Sequence, residues 1–180
     1  MLFLFLSKAM LRLLAGLGLP KFQYELARAY YTARFGEQNP AEAAKWCLRA
    51  AEQGWPPAES LLGQFYAGAF GVAENWERFF YWNRRAAEHA DRWGQNALAW
   101  CYQQGIGTPP DTELAFKWWL EAARQGLPDA QYAVADCLFS GAGVPKDLKM
   151  ADQWCRLALK NGAESAPELL RRIEAADRGR

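Results

Sequence analysis

Few side chains in this chain could carry covalent or acid–base chemistry. It holds one histidine, His89, and four cysteines, Cys47, Cys101, Cys137 and Cys155. A nucleophile needs a base beside it and a group to orient that base, and no such pairing is legible here. Neither Cys-x-x-Cys nor His-Glu-x-x-His occurs, so no metal site and no cofactor is expected. Gly105-Ile106-Gly107 and Gly141-Ala142-Gly143 begin like phosphate loops. Both lack the further glycine or lysine that such loops need, and both read as turns between helices. Asp111 and Asp147 read as helix caps rather than an acid–base pair. A hydrolase is the least supported reading, and the chain is expected not to be an enzyme.

The elements that carry these residues are set by a repeat. Trp46, Trp82, Trp118 and Trp154 stand 36 residues apart, a period that marks an array of repeated units. Tyr30, Tyr66 and Tyr102 keep the same interval, as do the small residues Ala27, Gly63, Ala99 and Ala135. So do Ala50, Ala86, Ala122 and Ala158. Within one unit, Leu61, Leu62, Phe65 and Tyr66 form the apolar stripe of a first helix. Asn75 stands where the next helix needs an N-cap, and its register holds Asn39, Asp111 and Asp147. Phe79, Trp82, Ala86 and Ala87 form a second stripe. Gly54, Gly126 and Gly162 then end the second helix by accepting a left-handed conformation. Small columns allow close helix approach, and the tryptophans read as hairpin core. His89 falls in register with Gln53, Gln125 and Asn161 near a helix end, and is expected on the surface. Arg84, Arg85 and Arg92 beside it read as a solvated helix face.

The stretch Ala130 to Gly162, AQYAVADCLFSGAGVPKDLKMADQWCRLALKNG, resembles the Sel-one-like repeat, a relative of the tetratricopeptide repeat. The motif elements are Leu62-Gly63 with Tyr66, Gly71-Val72, Gly105-x-Gly107, Gly141-x-Gly143-Val144, the tryptophans and the paired alanines. The first loop, Ala33 to Pro40, lacks Gly-x-Gly-Val. The resemblance spans about residues 21 to 163. It implies an all-α fold, a right-handed α/α solenoid of helix-hairpin repeats. It also implies a protein-interaction scaffold or adaptor. Four repeats are expected at 21–56, 57–92, 93–128 and 129–164, within a single domain spanning 1–180.

Both ends read as capping half-repeats. Residues 1–20 are too briefly apolar, at Leu2 to Leu6, for a signal peptide, and Lys8 and Arg12 follow the apolar run instead of preceding it. Their charges also interrupt any membrane span. Met10, Leu14 and Ala15 instead take the register of Trp118, Ala122 and Ala123, so 1–20 is expected to be a lone second helix. An envelope-associated or secreted protein with an N-terminal targeting segment is the alternative. Residues 165–180 are expected to form a polar first helix, with Arg171 and Glu174 replacing the small and Tyr columns. The arginines Arg171, Arg172, Arg178 and Arg180 read as favourable charge near a helix C-terminus. Leu2, Phe3, Leu4 and Phe5 would support self-association.

The net charge of +1 gives no reason to expect a nucleic-acid or membrane partner. Register-mates Cys101 and Cys137 should sit about 8–10 Å apart, beyond disulfide reach. Cys47 and Cys155 lie three repeats apart, and a Cys137–Cys155 pairing stays open. Buried free thiols favour a reducing, cytoplasmic setting, and a periplasmic or membrane-associated one follows only if 1–20 is a targeting segment. The expected binding groove lies on the first helices, at positions the core does not use. Its columns are Tyr24, Ser60, Asn96 and Tyr132; Arg28, Gln64, Trp100 and Asp136; and Tyr31, Ala67, Gln103 and Phe139. The amides offer donors and acceptors to an extended peptide, and the aromatics resemble binding anchors. A protein or peptide partner is expected there.

Overall fold

The computed structural model describes residues 7–178. The described residues form ten helices: α1 Lys8–Gly16, α2 Pro20–Tyr31, α3 Pro40–Glu52, α4 Pro56–Ala67, α5 Trp76–Glu88, α6 Arg92–Gln104, α7 Thr112–Arg124, α8 Pro128–Ser140, α9 Leu148–Lys160 and α10 Ala166–Arg178. They fall into two compact units, Met1–His89 and Ala90–Arg180. In the first, each helix from α1 to α5 packs on the next; in the second, α6 to α10 do the same and α10 also touches α8. No helix among the described residues is long and apolar enough to cross a membrane.

The capping chemistry follows the sequence. Asn39, Asn75, Asp111 and Asp147 each accept a hydrogen bond from the backbone N–H three residues on, at 2.8 to 3.0 Å. Such a bond satisfies one of the amides that a helix start leaves unpaired. α2, α4 and α8 instead open on Pro20, Pro56 and Pro128, where a missing N–H costs nothing. Gly54, Gly126 and Gly162 are left-handed as expected. Ala90 adopts the same conformation at φ 60° without being glycine.

Two loop glycines are required by close approach. A Cβ on Gly71 would lie 2.0 Å from the Pro40 carbonyl oxygen at the start of α3. A Cβ on Gly143 would lie 2.0 Å from the Thr112 carbonyl oxygen at the start of α7. The loop of one hairpin thus presses on the second helix of the hairpin before it.

The core differs from the expected tryptophan column. Of the four, only Trp82 is buried, and Trp46, Trp118 and Trp154 are half-buried. The buried column lies one residue later, at Cys47, Asn83, Trp119 and Cys155. One residue turns a helix by about 100°, which leaves an indole at the rim of the interface. There it covers the seam and receives a cation: the Arg49 guanidinium sits 4.7 Å from the Trp46 ring centre. Asn83 shows how tightly the small-residue column is used. A Cβ on Gly63 would collide with the Asn83 amide, so glycine is needed opposite that side chain.

At the ends, α1 buries Leu11 and Ala15 and leaves Met10, Leu13 and Leu17 exposed. α10 buries Ala166, Leu169 and Ile173, and Leu170 is only half-buried. The columns that Leu170 continues are buried elsewhere because a following helix covers them. Leu2, Phe3, Leu4 and Phe5, the residues expected to support self-association, and Arg180 lie outside the described residues.

Candidate functional site

The histidine and the cysteines make contacts within the fold, and the most informative group was not legible as a motif. Gln23, Glu59, Gln95 and Gln131 occupy one register on the first helices, and all four are buried. Each meets the register of His89 on the following second helix. Gln53, Gln125 and Asn161 donate their side-chain amides to Gln23, Gln95 and Gln131 at 2.7, 2.7 and 2.9 Å. Gln23 and Gln131 in turn donate backward to the carbonyls of Ala15 and Ala123. One buried amide thereby ties three successive helices.

The α4–α5 hairpin replaces this amide pair with ions. Glu59 is 0% exposed, and its Oε2 lies 2.8 Å from His89 Nδ1. Its Oε1 lies 3.0 Å from an Arg85 guanidinium nitrogen, in ion-pair contact without hydrogen-bond alignment. A buried carboxylate needs such partners to be tolerated. His89 is on the surface as expected, yet its ring covers a buried charge. Arg85 is not part of a merely solvated face, because Glu59 binds it from below.

The remaining chemical candidates are quiet. All four cysteines are buried and free, so Cys137 and Cys155 are not paired. Burial pushes every thiol up, Cys101 to about 12 and Cys137 to about 11. Cys47 and Cys155 instead donate to the carbonyls of Ala58 and Ala166. Gly105, Gly107, Gly141 and Gly143 are left-handed turn residues. Among the described residues, no cluster of His, Cys, Asp or Glu could hold a metal ion.

The expected binding columns separate by unit. In the first unit, Arg28 and Gln64 are exposed and Tyr24 is half-buried. The Arg28 guanidinium lies 5.7 Å from the Tyr24 ring centre and also meets Glu25 at 3.6 Å. Tyr31, 38% exposed, belongs to an aromatic cluster, its ring centre 5.3 Å from that of Phe65 and 5.0 Å from that of Phe70. Ser60 does not face outward: it is buried, its hydroxyl turned to the Pro57 carbonyl.

In the second unit, Trp100 and Gln103 on α6 are exposed, and Asn96 is half-buried. Tyr132, Asp136 and Phe139 are half-buried on α8, at the four- and three-residue spacing of one helix face. Burial raises the Tyr132 phenol, the Asp136 carboxylate raises it further, and the Arg172 guanidinium opposes them. Arg172 therefore belongs to this surface. Its guanidinium carbon lies 5.0 Å from the Phe139 ring centre. It is not charge at a helix end: it sits mid-helix in α10 and continues the column of Arg28, Gln64, Trp100 and Asp136. The same 36-residue register would have found it. Of its neighbours, Arg171 pairs with Glu168, and Arg178 does donate to a last-turn carbonyl, that of Glu174.

The family model for the Sel1 repeat matches residues 20–55, 94–127 and 128–162. The α4–α5 hairpin, with its Glu59–His89 pair, lies outside those stretches. The solved structure of c5321, a protective antigen present in uropathogenic Escherichia coli strains and displaying an SLR fold, is 32% identical, with a TM-score of 0.84. The alignment covers 89% of this chain and 34% of the antigen. A Sel1 repeat protein from Oxalobacter formigenes is 31% identical with a TM-score of 0.83, over 91% of this chain and 65% of that one. The cysteine rich protein B of Helicobacter pylori is 23% identical with a TM-score of 0.55, over 68% of this chain and 94% of that one, and supports the fold alone. No curated protein matches the chain. The chain spans about a third of the c5321 antigen's length and 65% of the Oxalobacter protein's. The all-α solenoid class implied by the repeat is the one these neighbours display.

Proposed function

The chain belongs to the Sel1 repeat family, and from that premise we propose that it is an adaptor that binds a peptide or partner protein on the outward positions of its first helices. Proteins of this family are generally non-catalytic scaffolds that bind protein partners. The observation that carries the finer reading is a contrast between columns. The small-residue columns at Ala27 and Ala50 and their register-mates repeat with little change, whereas the outward first-helix positions change chemistry from hairpin to hairpin. In the second unit they pass from Asn96, Trp100 and Gln103 to Tyr132, Asp136 and Phe139, all half-buried or exposed. A surface of exposed and half-buried aromatics and amides, with an acidic and a basic side chain among them, fits protein recognition, where a few aromatic anchors dominate the energy.

The test is affinity capture with the wild type and with a variant carrying Asn96→Ala and Trp100→Ala. The variant should keep its helix content and lose the partner that the wild type retains. Equal recovery of that partner by both proteins would sink the reading.

A second reading rests on one observation, the exposed Met10, Leu13 and Leu17 face of α1. It assigns the N-terminal segment to envelope targeting or attachment. Sequencing the N-terminus of the mature protein separates the two readings. Loss of about the first twenty residues would favour the second.

A further inference from the structure

Two charged side chains of the second unit share one row and have no ion-pair partner among the described residues: Asp136 on α8 and Arg172 on α10. The unit's other described arginines are engaged. Arg124 pairs with Glu121, Arg156 with Asp152 and Glu174, and Arg171 with Glu168. Arg92 and Arg178 donate to the carbonyls of Gln125 and Glu174. Arg172 is exposed and lies over a ring instead, its guanidinium carbon 5.0 Å from the centre of Phe139. Such a cation–π contact positions the guanidinium without using its N–H donors, which stay available for an anion.

Asp136 lies one turn before Phe139 on the same face of α8. The Tyr132 phenol feels both charges, which places the acid and the base around one ring. They do not neutralise each other. Register-mates on packed helices stand about 8–10 Å apart, and α8 and α10 are in contact. An extended chain advances about 3.3 Å per residue, so positions about two or three residues apart would span the two charges. Polyanionic nucleic acid fits this row poorly, because Asp136 would repel the phosphates that Arg172 attracts.

We propose that this row reads charge order: a partner segment crossing α8 and α10 in extended form seats an acidic side chain on Arg172 and, about two or three residues along, a basic one on Asp136. The row continues to Trp100 on α6, 37% exposed, which receives an apolar side chain on the far side of the basic one. The inference rests on the reading of the first-helix face as a binding surface and specifies what that face binds.

The experiment is selection of short random peptides displayed on phage, against the full chain and against a charge-exchange variant carrying Asp136→Arg and Arg172→Asp. Both proteins are first matched for helix content by circular dichroism. The wild type should enrich segments with a basic and an acidic residue in one order, and the exchange variant should enrich the opposite order. Enriched peptides without such a pair, or with the same order on both proteins, would overturn the inference while leaving a binding face intact. If neither protein enriches any peptide, the binding-face reading itself falls and takes the inference with it. Should the exchange variant lose its helices, Arg172→Ala decides with a synthetic wild-type-selected peptide. Affinity weaker by about tenfold, the usual loss for a charge-assisted contact, supports the inference, and unchanged affinity overturns it.

Discussion

Glu59 is the residue whose environment departs furthest from its counterparts. Gln23, Gln95 and Gln131 bury a neutral amide at this position, and Glu59 buries a charge between Arg85 and His89. Glu59→Ala should lower stability by about 2 kcal/mol, less than the full cost of breaking a buried pair because both cations are partly exposed. Glu59→Gln restores the amide of the other hairpins and should cost less than about 1 kcal/mol. Denaturant titration of both variants checks the order, and equal losses would contradict it. The cysteines give a pH prediction. Burial raises their thiols, so the folded state holds protons that the unfolded state releases above a pH of about 8.5. The stability they contribute is complete below that pH and declines as pH rises toward the folded values. Alkylation of the native protein at mildly alkaline pH should be slow and should track unfolding; fast labelling of the folded chain would refute this. His89 was visible in the sequence as a lone histidine near a helix end. Its partner was not, because a buried Glu in a column of Gln gives no apolar signal.

At the scale of the helix and its loop, most of what the sequence promised is present. The Asn and Asp caps and the glycine stops were legible because each acts on backbone within a few residues of itself. What escaped was rotation. The tryptophan column recurs so regularly that it looked like core, yet the buried position is the next one, a difference that only packing decides. The first-helix terminators also vary in a way that can be tested. Gly105 and Gly141 are left-handed, and their register-mates Ala33 and Ala69 take φ 56° and 51° without being glycine. A left-handed alanine costs about 1–2 kcal/mol, and glycine returns part of that as unfolded-chain entropy, about 0.4–1 kcal/mol. Ala69→Gly should therefore stabilise the protein by about 0.5–1 kcal/mol, read as a higher thermal midpoint. A lower midpoint would show that the alanine side chain contributes packing that outweighs its strain.

At the scale of the whole molecule, the repeat period was the most legible feature and the proposed binding surface the least. The small-residue columns announce themselves by sameness, so the ruler found them at once. A recognition surface is defined by difference, and difference at one position has many causes. Register puts Ser60 in the outward column, yet it is buried, whereas Arg172, near the end of the chain, stands on the surface and continues the column of Asp136. The buried amide column has a consequence for how such chains are assembled from parts. Gln131 accepts from the helix after it and donates to the helix before it, and Gln23 does the same at its own position. A hairpin carrying both bonds presents the same fitting on both sides, so the α2–α3 and α8–α9 hairpins are interchangeable parts that would tolerate duplication or exchange. The α4–α5 hairpin is not interchangeable on those terms: a copy moved elsewhere would have to bring Glu59, Arg85 and His89 together, as one inherited block.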